Sequence, residues 1–172
     1  MSRGKVAILA ENDYQDMEVW YPLYRLREEG YETVVVGPHA IEYRSKHGYP
    51  VKAQIAASEA RAADYAGVVI PGGWAPDKLR MDEGVLRFVR ELFDKRRVVA
   101  CICHGGWVLA SAGVVKGRRL TSYQAIRDDM IHAGALFVDE EVVRDGNLIT
   151  SRKPDDLPAF CREIVKALRE AS

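Results

Sequence analysis

The strongest constraint on this chain is the repeated alternation of short, continuous apolar runs with longer amphipathic stretches. Residues 5–10, 33–36, 64–70 and 98–102 are too short for core helices and apolar nearly throughout, the pattern of strands buried on both faces. Residues 16–29 and 85–93 separate them at helical period. In the first, Met17, Trp20, Tyr21 and Tyr24 mark the apolar face and Gly30 stops the helix. Pro22 lies inside that pattern, so the helix is either kinked or begins after Asp16. A further helix is predicted over 104–112, directly after the fourth strand. Beyond Gly117 a strand near Leu120 and a helix over 125–133 precede three short strands at 135–138, 141–144 and 148–151. Asp145-Gly146-Asn147 turns between the last two. The final helix, 155–170, carries Leu157, Phe160, Ile164, Val165 and Leu168 along one face. Repeating β-α units predict an α/β fold whose mostly parallel sheet is covered by helices on both sides. With no linker or repeat, residues 1–172 read as a single domain.

Composition removes several function classes. Hydrophobic residues are 48% of the chain, enough for a full core without disulfide staples. The 25 basic and 25 acidic residues cancel, which argues against a nucleic-acid or anionic-membrane binder. The run at 6–10 is too short for a signal-peptide core or a membrane span. Three cysteines at irregular spacing do not make a disulfide framework, so a reducing, cytoplasmic setting is expected.

The chemistry concentrates in Val98-Val99-Ala100-Cys101-Ile102-Cys103-His104-Gly105-Gly106. A strand meets a helix there through one turn, with Cys103 on the turn. A nucleophile elbow needs small residues two before and two after the nucleophile, here Cys101 and Gly105. A helix beginning at His104 would favour the thiolate through its N-terminal amides, and His104 is a candidate base or cationic partner. Gly72 and Gly73 of Pro71-Gly72-Gly73 end the preceding strand, where glycine lets backbone N–H groups approach an oxyanion; an ordinary tight turn is the alternative. Cys101-x-Cys103-His104 lacks the second Cys/His pair of a zinc site, so no metal and no cofactor are expected. Cys101 and Cys161 read as core residues, and His39, His47 and His132 as surface or structural histidines.

Several segments together resemble the PfpI family of intracellular proteases, within the class I glutamine amidotransferase-like superfamily. They are Glu18-Val19-Trp20-Tyr21-Pro22, Lys46-His47-Gly48-Tyr49, Pro71-Gly72-Gly73-Trp74-Ala75-Pro76-Asp77, Ile102-Cys103-His104-Gly105, Leu120-Thr121-Ser122-Tyr123 and Ser151-Arg152-Lys153-Pro154. The resemblance implies a flavodoxin-like three-layer sandwich, assembled as a homodimer or homohexamer with sites near the subunit interfaces. It implies Cys103 as nucleophile, His104 as its partner, and Asp77 of a neighbouring chain as the acidic third member, where the family usually has glutamate. A helix N-cap is the alternative reading of Asp77. Oxyanion donors would be the backbone of Gly73 and His104. Tyr123 matches a pocket tyrosine, a buried aromatic being the alternative. The family glutamate that hydrogen-bonds the thiol aligns with Gln15, an amide that donates to a thiolate but does not exchange a proton.

The resulting expectation is a cofactor-free cysteine hydrolase acting on a peptide or small carbonyl substrate, including deglycation of glyoxal-modified amines. The competing expectation is a redox or stress sensor in which Cys103 is oxidised.

Overall fold

The computed structural model describes residues 2–172. Strand β1 (Lys5–Leu9) leads into helix α1 (Asp16–Glu28) and β2 (Glu32–Gly37), followed by a hairpin of β3 (Glu42–Arg44) and β4 (Pro50–Lys52) and an edge strand β5 (Ile55–Ala56). Strand β6 (Tyr65–Ile70) precedes α2 (Ala75–Leu79) and α3 (Glu83–Asp94). Strand β7 (Val98–Ile102) passes through a 3₁₀ turn into α4 (Gly106–Ala112). The chain closes with β8 (Arg119–Leu120), α5 (Arg127–His132), β9 (Leu136–Phe137), the hairpin β10 (Val143–Asp145) and β11 (Leu148–Ser151), and α6 (Leu157–Glu170).

The seven-stranded sheet has the order β10-β11-β7-β6-β1-β2-β5, parallel except for β10. Its central strands are buried on both faces, as continuous apolar runs require. Helices α1 and α6 pack together on one face, and α3 and α4 on the other. The protein is thus a flavodoxin-like α/β sandwich. No helix among the described residues is long and apolar enough to cross a membrane.

Five features depart from the sequence reading. Helix α1 begins at Asp16 and continues through Pro22. Its inward face is Glu18, Val19, Pro22, Leu23 and Leu26, whereas Met17 and Tyr24 are 52% and 59% exposed. The hydropathic stripe therefore faces outward, and a carboxylate faces the core. The helix expected from His104 starts at Gly106, because residues 103–105 form a 3₁₀ turn. The helix expected over 125–133 likewise splits into a 3₁₀ turn (Gln124–Ile126) and α5. The strand at 135–138 leaves the main sheet, since β9 pairs only with β8. The small elements β3, β4, β5 and α2 lie where no regular structure was expected.

Phe160 on α6 is fully buried. Phe160→Ala is expected to cost about 3–5 kcal/mol of unfolding free energy, read as a fall in the urea midpoint at unchanged slope.

Candidate active site

Three loops meet at the carboxyl edge of the sheet, after β1, β6 and β7, where open α/β sheets place their ligands. Tyr14 joins them. Its backbone bridges Ser45 on one side and Gly73 on the other, while its buried ring receives Trp20 Nε1 at 3.2 Å and donates to the Tyr49 carbonyl at 2.7 Å. Gly73 has φ +74°, and a Cβ there would collide with the Gln15 nitrogen and the Asp13 carbonyl, so only glycine fits the turn.

Cys103 sits on the elbow with φ +62°, a left-handed conformation that a side chain other than glycine rarely takes. The thiol is 8% exposed, and its carbonyl accepts from Tyr123 N at 3.2 Å. Backbone N–H groups of His104 and Gly73 are directed at the sulfur and favour the thiolate.

The carboxyl that meets the sulfur belongs to Glu18. Glu18 is completely buried, and its Oε1 accepts from Gly72 N at 2.8 Å. A Cβ on Gly72 would lie 2.7 Å from Glu18 Oε1, 2.8 Å from Cys103 Cβ and 3.0 Å from its Sγ, so the missing side chain is what lets thiol and carboxyl converge. Oε2 has no hydrogen-bond partner of good geometry. A carboxylate so poorly solvated holds its proton: burial raises Glu18 to about 7. Burial, and then the charge of Glu18, pushes the Cys103 thiol up to about 12. The two groups form one coupled acid that releases its first proton near neutrality and holds the second strongly. Two amides face the sulfur and one faces the carboxyl, so the single negative charge rests better on sulfur.

His104 Nδ1 lies 3.4 Å from Cys103 Sγ. The half-buried imidazole is walled by three aromatic rings: Tyr123 stacks on it at 4.9 Å, Trp107 meets it edge-on at 5.3 Å, and Trp74 tilts against it at 5.4 Å. Trp107 is itself fixed by donating to Asp129 at 2.9 Å. Burial, and then the positive charge of Lys46, lowers the pKa of His104, so the ring is neutral at pH 7 and suited to act as a base.

The structure thus brings together Cys103, His104, Gly72, Gly73 and Tyr123. Tyr123 is 39% exposed rather than buried. Two expectations need correction. Gln15 does not face the sulfur; it caps α1, accepting from Met17 N at 3.4 Å, because the helix starts one residue later and turns Glu18 inward. The helix after the elbow begins at Gly106 rather than His104, so the His104 N–H that faces the sulfur belongs to a 3₁₀ turn. Asp77 lies exposed in the first turn of α2 and caps nothing; the cap position is Trp74, and Asp77 makes no side-chain hydrogen bond or ion pair among the described residues. Sequence reasoning missed Glu18, Trp74, Trp107 and Lys46. The available signal for Glu18 was its place in the set 18, 19, 22, 23, 26, which shares one helical face.

A sequence profile of the DJ-1/PfpI family matches residues 4–167. The chain belongs to the DJ-1/PfpI family. Among its relatives is the Pyrococcus furiosus protein named Deglycase PfpI, 44% identical over 165 residues, covering 96% of this chain and 99% of that one. A two-domain DJ-1/ThiJ/PfpI-like and ferritin-like protein from Anabaena variabilis superposes with a TM-score of 0.95 at 42% identity, over 96% of this chain and 48% of that one. Drosophila melanogaster DJ-1beta superposes with a TM-score of 0.88 at 26% identity, over 99% and 96% of the two chains.

Two outcomes follow for the Glu18–Cys103 pair. Iodoacetamide labelling of Cys103, read by mass spectrometry of its peptide, is expected to rise with a midpoint below the ~8.5 of a free thiol, the charge of the pair resting on sulfur. Glu18→Leu removes the donor and is expected to move that midpoint up by at least about one unit, with about tenfold slower labelling at pH 7. A wild-type rate still climbing at pH 10 would put the charge on the carboxyl instead. Stability supplies the second test. The folded-state pKa of Glu18 is raised from 4.5 to about 7, so its contribution is fully present below pH 4.5 and is lost as pH rises through 7. Glu18→Gln is therefore expected to stabilise the protein by about 3 kcal/mol at pH 8 and to change little at pH 4.5, by urea unfolding.

Proposed function

We propose that this protein is a cofactor-free, cysteine-dependent hydrolase of the PfpI type, acting on the carbonyl of a peptide, an amide or a glyoxal-modified amine. The carrying observation is the Cys103 sulfur, held at a strained elbow between two backbone amides and the Glu18 carboxyl. The thiolate adds to the carbonyl carbon, forming a C–S bond and moving the π electrons onto oxygen. The N–H groups of Gly73 and His104 are the nearest backbone donors for that oxygen. Glu18 holds one proton and neutral His104 can take one, so the site has an acid for the leaving group and a base for the water that releases the product. The Deglycase PfpI name of the Pyrococcus furiosus relative supports this reaction class.

In the proposed assembly, Asp77 orients His104 of a neighbouring copy in a homodimer or homohexamer; its lack of a side-chain partner among the described residues supports this reading. So does a groove of about 840 Å³ on the outer side of α1, where Met17, Tyr21, Tyr24 and Tyr49 present exposed apolar surface suited to self-association. A cytoplasmic setting suits a chain whose three cysteines are all free.

Turnover of methylglyoxal and of a fluorogenic peptide tests the proposal. Cys103→Ser is expected to reduce activity to background, and His104→Ala to lower kcat about 10²- to 10⁴-fold. No turnover of either substrate, with Cys103 oxidised by mild peroxide, would replace hydrolysis with oxidant sensing.

A further inference from the structure

The turn between β3 and β4 is among the most heavily hydrogen-bonded segments on the surface. Ser45 Oγ donates to Asp16 Oδ1 at 2.6 Å and accepts from the N–H groups of His47 at 3.1 Å and Tyr49 at 2.9 Å. Asp16 Oδ2 pairs with His47 Nδ1 at 2.7 Å. Ser45 N bonds the Tyr49 carbonyl and Gly48 N the Ser45 carbonyl, both at 2.9 Å. Lys46, at the centre of this turn, gives its own N–H to the Tyr14 carbonyl at 3.0 Å.

Tyr14 is also the rung that bridges Ser45 to Gly73, so the turn stands one strand away from the glycine pair packed on Cys103. The positive charge of Lys46 reaches both Glu18 and His104. Neighbouring charges are occupied: Arg44 pairs with Glu42, His47 with Asp16, and Lys78 with Asp13. Lys46 alone among them has no ion pair or side-chain hydrogen bond with any described residue. The fold therefore holds an exposed, unneutralised ammonium on a hydrogen-bonded turn that Tyr14 joins to the glycine pair packed on Cys103.

We infer that Lys46 is a specificity-determining residue, selecting substrates that carry a carboxylate beside the carbonyl attacked by Cys103. The ammonium would attract a carboxylate one bond from the reacting carbon while the carbonyl oxygen faces the backbone amides. Trp74 and Tyr123 flank the remainder without adding charge. As a statement about substrates this rests on the hydrolase reading; as a statement about the site it does not.

The test uses two alkylating agents of similar size and opposite charge character, iodoacetate and iodoacetamide. In both, the Cys103 thiolate forms the S–C bond as iodide departs with the C–I electrons; only iodoacetate carries the carboxylate. The ratio of the two rates at Cys103, read on its peptide, cancels changes in thiolate population. Lys46→Met is expected to lower the iodoacetate:iodoacetamide ratio about three- to fivefold, and Lys46→Glu further. Lys46→Arg retains the ratio, and 1 M salt flattens the differences among variants. An unchanged ratio in Lys46→Met, with either constant rates or equal losses, overturns the inference and leaves Lys46 at most an electrostatic neighbour of the thiol. Hydrolysis of oxamate, whose amide carbonyl carries a carboxylate, to oxalate and ammonia, against hydrolysis of neutral oxamide, then provides the substrate arm, with the loss in Lys46→Met expected in KM for oxamate. If neither compound is turned over while the alkylation ratio still depends on Lys46, the hydrolase reading fails and the anion site stands.

Discussion

A buried carboxyl and a buried thiol, separated by the bare Cα of Gly72, set the terms for the rest of the site. Neither group can be fully ionised in that environment, because water is excluded and only three backbone N–H groups face the pair. Sharing one negative charge is the state that the surroundings can accommodate. That state is reached without a cationic partner in contact with the sulfur. It also keeps an acid beside it and leaves His104 neutral in its aromatic enclosure. The arrangement opposes stability, since a pair that keeps its first proton up to about 7, where a free carboxyl has lost its own, weakens the fold as pH rises.

Holding that pair requires rigidity in three separate loops. The parallel register of β1, β6 and β7 brings their carboxyl ends level, and Tyr14 ties the first loop to the second and to the β3–β4 turn. The left-handed backbone of Cys103 is tolerated because Tyr123 N binds its carbonyl and the buried strand behind it is continuous with the sheet. Catalytic geometry thus depends on strand register more than on any helix end. The short 3₁₀ turn after Cys103 removes the helix dipole as the main source of thiolate stabilisation.

The outer surface of α1 separates burial from hydropathy. Met17, Tyr21 and Tyr24 are left outside while Glu18 is enclosed beside Val19, Leu23 and Leu26. On the turn side of this helix, the clasp of Asp16 on Ser45 and His47 also orders the backbone that carries Lys46.

The alternation of apolar runs and amphipathic segments was sufficient to determine an α/β sandwich with a mostly parallel sheet, because burial on both faces admits few other arrangements. The elbow was equally legible: Cys101, Cys103 and Gly105 have the spacing a strained strand-to-helix turn needs, and His104 is its neighbour by covalent bonding. What the sequence could not decide was which face of α1 turns inward. Its aromatic stripe pointed one way, while packing on β1, β2 and α6 selected the other, exchanging Gln15 for Glu18 at the sulfur. Lys46 and Trp107 were hidden for a related reason. Their approach to His104 is created by loops far apart in the chain, and that proximity exists only once Tyr14 and the sheet have set the distance between them.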